Sequence, residues 1–270
     1  MQKEFKDLFA WYVKFADDSV LGQRIKHETE AFVKSYQGLY PELLYKAYKE
    51  ACRTVFNGVV VPEEPEILKI WQKRCDKPKV SVVLPIYNVE DYLNEALYSL
   101  TIQSLHEMEF ICVNDGSTDN TEAIVGEIAN KDSRVQLINK ENGGVSSARN
   151  RGIDAASGDF IGFVDGDDTI EDDMYEMLVN NAIKYDADIS HCGYKVIEHN
   201  KETLFYDTKQ IIIQDKKRGL IDLFEGSLIE PSLCNKIFKK NIVGSIRLDE
   251  SIKINEDLYF NVLLFNKASI

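Results

Sequence analysis

Asp165-Gly166-Asp167-Asp168 sets three carboxylates within four residues, directly after the apolar run Phe160-Ile161-Gly162-Phe163-Val164. Adjacent carboxylates repel one another, and a divalent cation relieves that repulsion. A hard-oxygen cluster of this kind suits Mg²⁺ or Mn²⁺, and either ion would also hold a diphosphate. Gly166 permits a tight turn and close approach of a ligand. The same residues also suit a plain turn in which Asp167 or Asp168 caps the next helix. Their place after a buried strand favours the metal.

Two other segments share that setting. Asn114-Asp115-Gly116-Ser117-Thr118-Asp119 follows the apolar run Phe110-Ile111-Cys112-Val113. Asp119, with Glu122 three residues on, reads as a capping box. Asp115 is placed to point along the strand into a cleft, where a carboxylate accepts from a base N–H. Asn142-Gly143-Gly144 then leads into a helix bearing Arg149. Its glycines and helix N-terminus suit a phosphate, and Arg149 adds a cation. Elsewhere on a chain, an arginine of this kind would default to a surface salt bridge.

The elements that must position these residues are legible from residue 79 onward. Val80–Tyr87 is a β-rich run, and Glu90–Gln103 carries Tyr92, Leu93, Ala96, Leu97 and Leu100 on one helical face. Further strands are expected at 110–113, 135–138 and 160–164, with helices at about 119–130, 145–156 and 171–185. Near-continuous apolar strands alternating with helices imply a parallel sheet covered on both faces. In such a sheet, ligands bind beyond the carboxyl ends of the strands. Tyr87-Asn88, Asn114-Asp115 and Asp165–Asp168 all fall there, so residues distant in sequence converge.

Composition bounds the rest. The chain has 270 residues and a formal charge of −13. Residues 1–76 carry 12 basic and 12 acidic side chains, so the whole excess lies in the remainder. That acidity disfavours nucleic acid and anionic lipid as non-specific partners. Five widely spaced cysteines form no zinc or redox motif and suit a reducing compartment. Cys112 and Cys192 read as small buried hydrophobes. The four histidines form no ligand set, and His191 reads as a pocket or core residue. No apolar run approaches the ~20 residues that span a bilayer, so at most peripheral membrane association is expected.

Val82–Asn88, Val113–Asp119, Gly143-Gly144 through Asn150, and Phe163–Asp168 stand in an order and spacing that resemble family 2 glycosyltransferases with the GT-A fold. The match is close over residues 79–193. The resemblance implies an α/β fold with a mixed, mainly parallel, Rossmann-like sheet. It implies a nucleotide-sugar donor, most often UDP-linked, and Mn²⁺ or Mg²⁺. Pro85, Tyr87, Asn88 and Glu90 would line the donor pocket after the first strand, and Asp115 would contact the base. Gly144 and Arg149 would lie near the base or diphosphate. Asp165 and Gly166 would reach the ribose or metal region. Asp167 would be the metal ligand, and Asp168 would serve the sugar or cap the helix.

Farther on, Cys234-Asn235-Lys236 and Asn255-Glu256-Asp257 resemble the family's acceptor-side motifs. The resemblance implies Asp257 as general base of an inverting transfer, with Glu256 and Lys236 beside it. Without it, Glu256 and Asp257 would simply favour a helix N-terminus. Between these motifs a hairpin of 194–197 and 203–206, turning at His199-Asn200-Lys201, and a helix over 218–228 are expected.

Residues 1–76 read as two or three amphipathic helices and a linker. They would cap the main body or serve as a homo-oligomer contact. Residues 77–193 then form the nucleotide-sugar half and 194–270 the acceptor side. Family members usually continue past the Glu-Asp helix, which implies a fragment. The implied setting is cytoplasmic, at or near the inner face of a membrane, with a glycan or lipid-linked glycan acceptor. Two alternatives are a nucleotidyltransferase and a non-catalytic nucleotide-sugar-binding module. The first usually places a glycine-rich basic loop where Pro85–Asn88 stands.

Overall fold

The structure is a computed structural model that describes residues 78–198, 201–206 and 208–269. The helices, linker and oligomer contact expected within 1–76 lie outside the described residues, apart from the boundary that follows them. So do His199 and Asn200 of the expected turn.

A six-stranded sheet forms the centre, in the order β3-β2-β1-β4-β8-β5. The strands are β1 (Val80–Ile86), β2 (Met108–Asn114), β3 (Val135–Asn139), β4 (Phe160–Phe163), β5 (Ile189–His191) and β8 (Lys236–Lys239). A two-stranded hairpin, β6 (Tyr194–Glu198) and β7 (Lys201–Phe205), stands apart from it. The helices are α1 (Leu93–Thr101), α2 (Thr121–Ala129), α3 (Val145–Ala155), α4 (Met174–Lys184), α5 (Lys216–Glu225), α6 (Lys240–Val243) and α7 (Glu256–Lys267).

The pleat explains the layers. Val80, Val82, Leu84 and Ile86 face one core with α1, α2 and α4, while Val83 faces another with α3 and α7. Phe110 and Cys112 alternate with Ile111 and Val113 in the same way. Both faces are therefore dry, as near-continuous apolar strands require. Gly152 of α3 lies against the Val83 side chain, leaving no room for a Cβ, so helix and strand approach closely.

β1 pairs in parallel with β2 on one side and with β4 on the other. The chain runs outward from β1 to β3, then crosses back to β4. The switch point thus falls between β1 and β4, where a ligand crevice opens beyond the strand ends. The mixed, mainly parallel sheet expected from the residues is present.

β8 is the element that sequence pattern did not supply. It inserts antiparallel between β4 and β5, pairing Ile161 with Phe238 and Ser190 with Ile237. The expected division at 193/194 therefore separates no body, because the acceptor-side segment completes the donor-side sheet. Phe163, Phe238 and Phe260 meet edge to face at 6.2–6.3 Å, which ties β4, β8 and α7 together.

Candidate active site

Asp165 leaves β4 two residues past its end, and Asp115 follows β2 directly. Both lie at the same carboxyl rim, on either side of β1. The turn after β4 closes with the Asp168 N–H donating to the Asp165 carbonyl at 3.1 Å. Gly166 is buried, and a Cβ there would stand 2.9 Å from Ile86 and 3.1 Å from Val89. It packs against the end of β1.

Arg149 organises the centre. It projects from α3 and is 3% exposed. One guanidinium nitrogen donates to Asp165 Oδ1 at 2.9 Å, and the other to Asp257 Oδ1 at 2.6 Å. Glu256 Oε1 lies 3.5 Å from the second nitrogen. Burial pulls the guanidinium pKa down, but Asp165 and Asp257 outweigh it, so the net shift is upward. Arg149, expected beside base or diphosphate, here bridges two carboxylates. It is a clamp between the β4 end and the first turn of α7.

Asp257 is 20% exposed in its side chain. Burial first, then the charges of Glu256 and Asp165, push its carboxyl up to about 6, although Arg149 and Lys236 oppose the rise. A carboxylate with that pKa is matched to proton abstraction near neutrality. Lys236 is fully buried in β8 and depressed to about 8, chiefly by burial. Its ammonium donates to the Glu230 carbonyl at 2.8 Å, to Asn235 Oδ1 at 2.6 Å and to the Ser232 carbonyl. It braces the loop before β8, so its expected contact with an acceptor gives way to a structural one.

Asp165, Asp168 and Cys234 form the one group of possible metal-binding atoms among the described residues, all within 4.8 Å of each other. Asp167 is exposed and stands outside that group. Burial, then repulsion from Asp165 and Asp167, raises the Asp168 carboxyl. Carboxylates crowded in that way fit a hard divalent cation. The Cys234 thiol fits it less well, since burial and Asp165 keep its pKa well above the usual range. Sequence reading missed Cys234 as a neighbour of these aspartates, because only the insertion of β8 brings it there.

On the other side of β1 the loops are laced together. Asp115 is 3% exposed. It accepts from Lys140 Nζ at 2.5 Å and from the Gly143 and Gly144 N–H groups at 2.9 and 2.7 Å. Those glycine amides therefore hold Asp115. Asn88 has φ 51° and accepts from the Thr118 N–H at 2.8 Å. Glu90 accepts from the Asn120 N–H at 2.8 Å and its side-chain amide at 2.7 Å. Asn88 and Glu90 thus fasten the β1 loop to the β2 loop. Pro85 is half-buried in β1 and Tyr87 is 49% exposed. The expected capping box is absent. Asp119 accepts from the Thr121 N–H at 3.0 Å, but Glu122 turns to Asn139 at 2.7 Å.

The family model for glycosyl transferase family 2 matches residues 81–244. The chain belongs to that family. It is 34% identical to the uncharacterized glycosyltransferase EpsJ of Bacillus subtilis over 199 residues, covering 71% of this chain and 57% of EpsJ. It is 34% identical to glycosyltransferase GlyA of Streptococcus pneumoniae over 191 residues, covering 68% of this chain and 27% of GlyA. Its fold is similar to that of S. aureus TarS in complex with UDP, with a TM-score of 0.55 and 25% identity over 70% of this chain and 56% of that one. TarS has also been solved in complex with UDP-GlcNAc. The chain thus spans little more than half of EpsJ and of the TarS 1–349 chain, about a third of the longer TarS chain, and about a quarter of GlyA. The GT-A resemblance drawn from the four motifs is borne out.

Proposed function

We propose that this chain is an inverting glycosyltransferase. It would move a sugar from a nucleotide diphosphate sugar, UDP-linked, to a hydroxyl of a glycan or lipid-linked glycan acceptor in surface polysaccharide synthesis. The observation that carries this reading is the Arg149 clamp. It joins Asp165, at the donor rim, to Asp257, 108 residues away along the chain from Arg149 itself. The TarS complexes support UDP as the nucleotide. Family membership argues against the nucleotidyltransferase alternative.

Asp257 accepts the proton of the acceptor hydroxyl. The freed oxygen pair forms a bond to the anomeric carbon, and the carbon–oxygen bond to the diphosphate breaks on the opposite face. The bonding pair leaves with the diphosphate, and configuration inverts. Arg149 holds the Asp257 carboxylate in place before the reaction, which lowers the cost of reaching the reactive geometry. Exposed Tyr87 offers a stacking face to the base. Asp165 and Asp168, with Asp167 at their open edge, would hold Mn²⁺ or Mg²⁺. Such an ion supplies neutralisation of the charge that develops on the leaving diphosphate.

Asp257→Asn tests the reading. Transfer should fall by about 10²–10⁴-fold, as loss of a general base does. Donor affinity by calorimetry should persist. Full turnover in that variant would remove Asp257 from the chemistry.

A further inference from the structure

Between the hairpin and α5 the chain runs Thr208-Lys209-Gln210-Ile211-Ile212-Ile213-Gln214-Asp215 and enters the helix as Lys216-Lys217-Arg218. Three consecutive isoleucines there are 58%, 47% and 58% exposed. Such a run on a soluble surface is unfavourable unless something covers it. Lys209, Lys216, Lys217 and Arg218 face a single carboxylate, Asp215, within the same stretch, although the whole chain carries −13.

The cations are also poorly placed for the helix they start. Beyond the N-cap Asp215, which accepts from the Arg218 N–H at 2.8 Å, the first turn of α5 holds no acidic residue, and three positive charges crowd its positive dipole end. Arg218 is held by Asp222 at 2.5 Å, and Lys216 by the Asn266 carbonyl at 2.8 Å. Lys209 and Lys217 pair with no carboxylate among the described residues. Phe224 is 65% exposed and follows Lys217 by two helical turns on the same face. The neighbouring hairpin is neutral, with Lys195 and Lys201 against Glu198 and Glu202. Exposed apolar side chains with two unpaired lysines in the same stretch, on an otherwise acidic molecule, match an anionic lipid surface.

The place of this strap adds to the match. β4 and β5 both run antiparallel to β8, so the chain leaves β5 at the same rim as Asp165. The hairpin and strap follow directly from that rim.

We propose that residues 209–218, with Phe224, form a docking surface for an anionic phospholipid bilayer. Ile211 and Ile213 enter the headgroup boundary, and Lys209 and Lys217 meet lipid phosphates. Combined with the transfer proposed above, and resting on it, this places the acceptor on a lipid anchor.

The test is co-sedimentation of the full chain with vesicles of phosphatidylcholine alone and of phosphatidylcholine mixed equally with phosphatidylglycerol. Binding is expected to the mixed vesicles only and to weaken with salt. The pair Lys209→Gln and Lys217→Gln should lower partitioning by about five-fold per lysine. The pair Ile211→Ser and Ile213→Ser should lower it by about ten-fold or more. All four positions are exposed, so folding should persist, and circular dichroism checks this. Asp257→Asn should bind vesicles like the parent, which separates docking from catalysis. No binding of the parent to mixed vesicles would overturn the proposal, as would equal binding by the variants. A dimer in light scattering that the serine pair dissociates, with vesicle binding unchanged, would reassign the face to a second copy of the chain and overturn it too.

Discussion

Arg149→Met is the most informative perturbation of this site. Methionine keeps much of the side-chain volume and removes the charge. Two carboxylates then face each other without the cation between them. Breaking a buried pair by removing one partner costs about 3–5 kcal/mol. Arg149 is 4% exposed in its side chain, but Asp165 is 35% and Asp257 20% exposed. Solvent screens part of the loss, so the low end, about 3 kcal/mol, is the better figure. For a body of this size that lowers Tm by about 6–12 °C.

The loss should depend on pH. Asp257 sits at about 6 when folded against 3.8 ordinarily, with burial the first cause. A carboxyl raised on folding costs nothing below its ordinary pKa. Its cost grows as pH rises and is complete above the folded value. Removing Arg149 raises the folded value further and enlarges that cost. Arg149→Met should therefore lose more stability at about pH 8 than at about pH 5. The acid limb of kcat/KM, near 6 in the parent, should move upward. Differential scanning calorimetry and a pH–rate profile measure both. In an Asp257→Asn background the penalty of Arg149→Met should shrink by about 1 kcal/mol or more, as directly paired residues require. An equal penalty in both backgrounds, with an unmoved acid limb, would refute the clamp.

Three further outcomes follow from the same geometry. Asp168→Asn removes a carboxyl raised by burial and by its acidic neighbours, so the protein alone should melt higher. Its thermal stabilisation by Mn²⁺ plus UDP should weaken; an undiminished shift would exclude Asp168 as a ligand. Lys236→Met strips a cation from three buried or part-buried acceptors and should cost about 1–3 kcal/mol, read as a lower calorimetric Tm. An unchanged Tm would mean that the ammonium does not brace the loop before β8. Gly152→Ala drives a methyl into Val83 and should cost about 1–3 kcal/mol in urea denaturation; a neutral result would show that α3 can lift off β1.

Much of the donor half was legible because its cues are local. Strands β1 to β4 are apolar runs, and the helices between them carry one apolar face, so a parallel sheet followed from pattern alone. Each strand's end was equally plain, which located Asp115 and Asp165 at one rim. The acceptor half was less legible. β8 is four residues with a lysine at each end, and nothing local marks it as a central strand. Its place is earned by pairing with β4 and β5, which lie far away in sequence.

The residue types set by themselves the class of chemistry: aspartates after strands, a glycine pair before a helix, an arginine within it, and a Glu-Asp helix start. Hydrogen-bond assignment belonged to the tertiary structure. Asp115 finds its donors in Lys140 and two glycine amides, Glu90 in Asn120, and Lys236 in its own loop. A buried polar group must be paired, and its partner is whichever group packing brings within reach. That choice depends on contacts up to 108 residues apart, as between Arg149 and Asp257, and no local pattern encodes it.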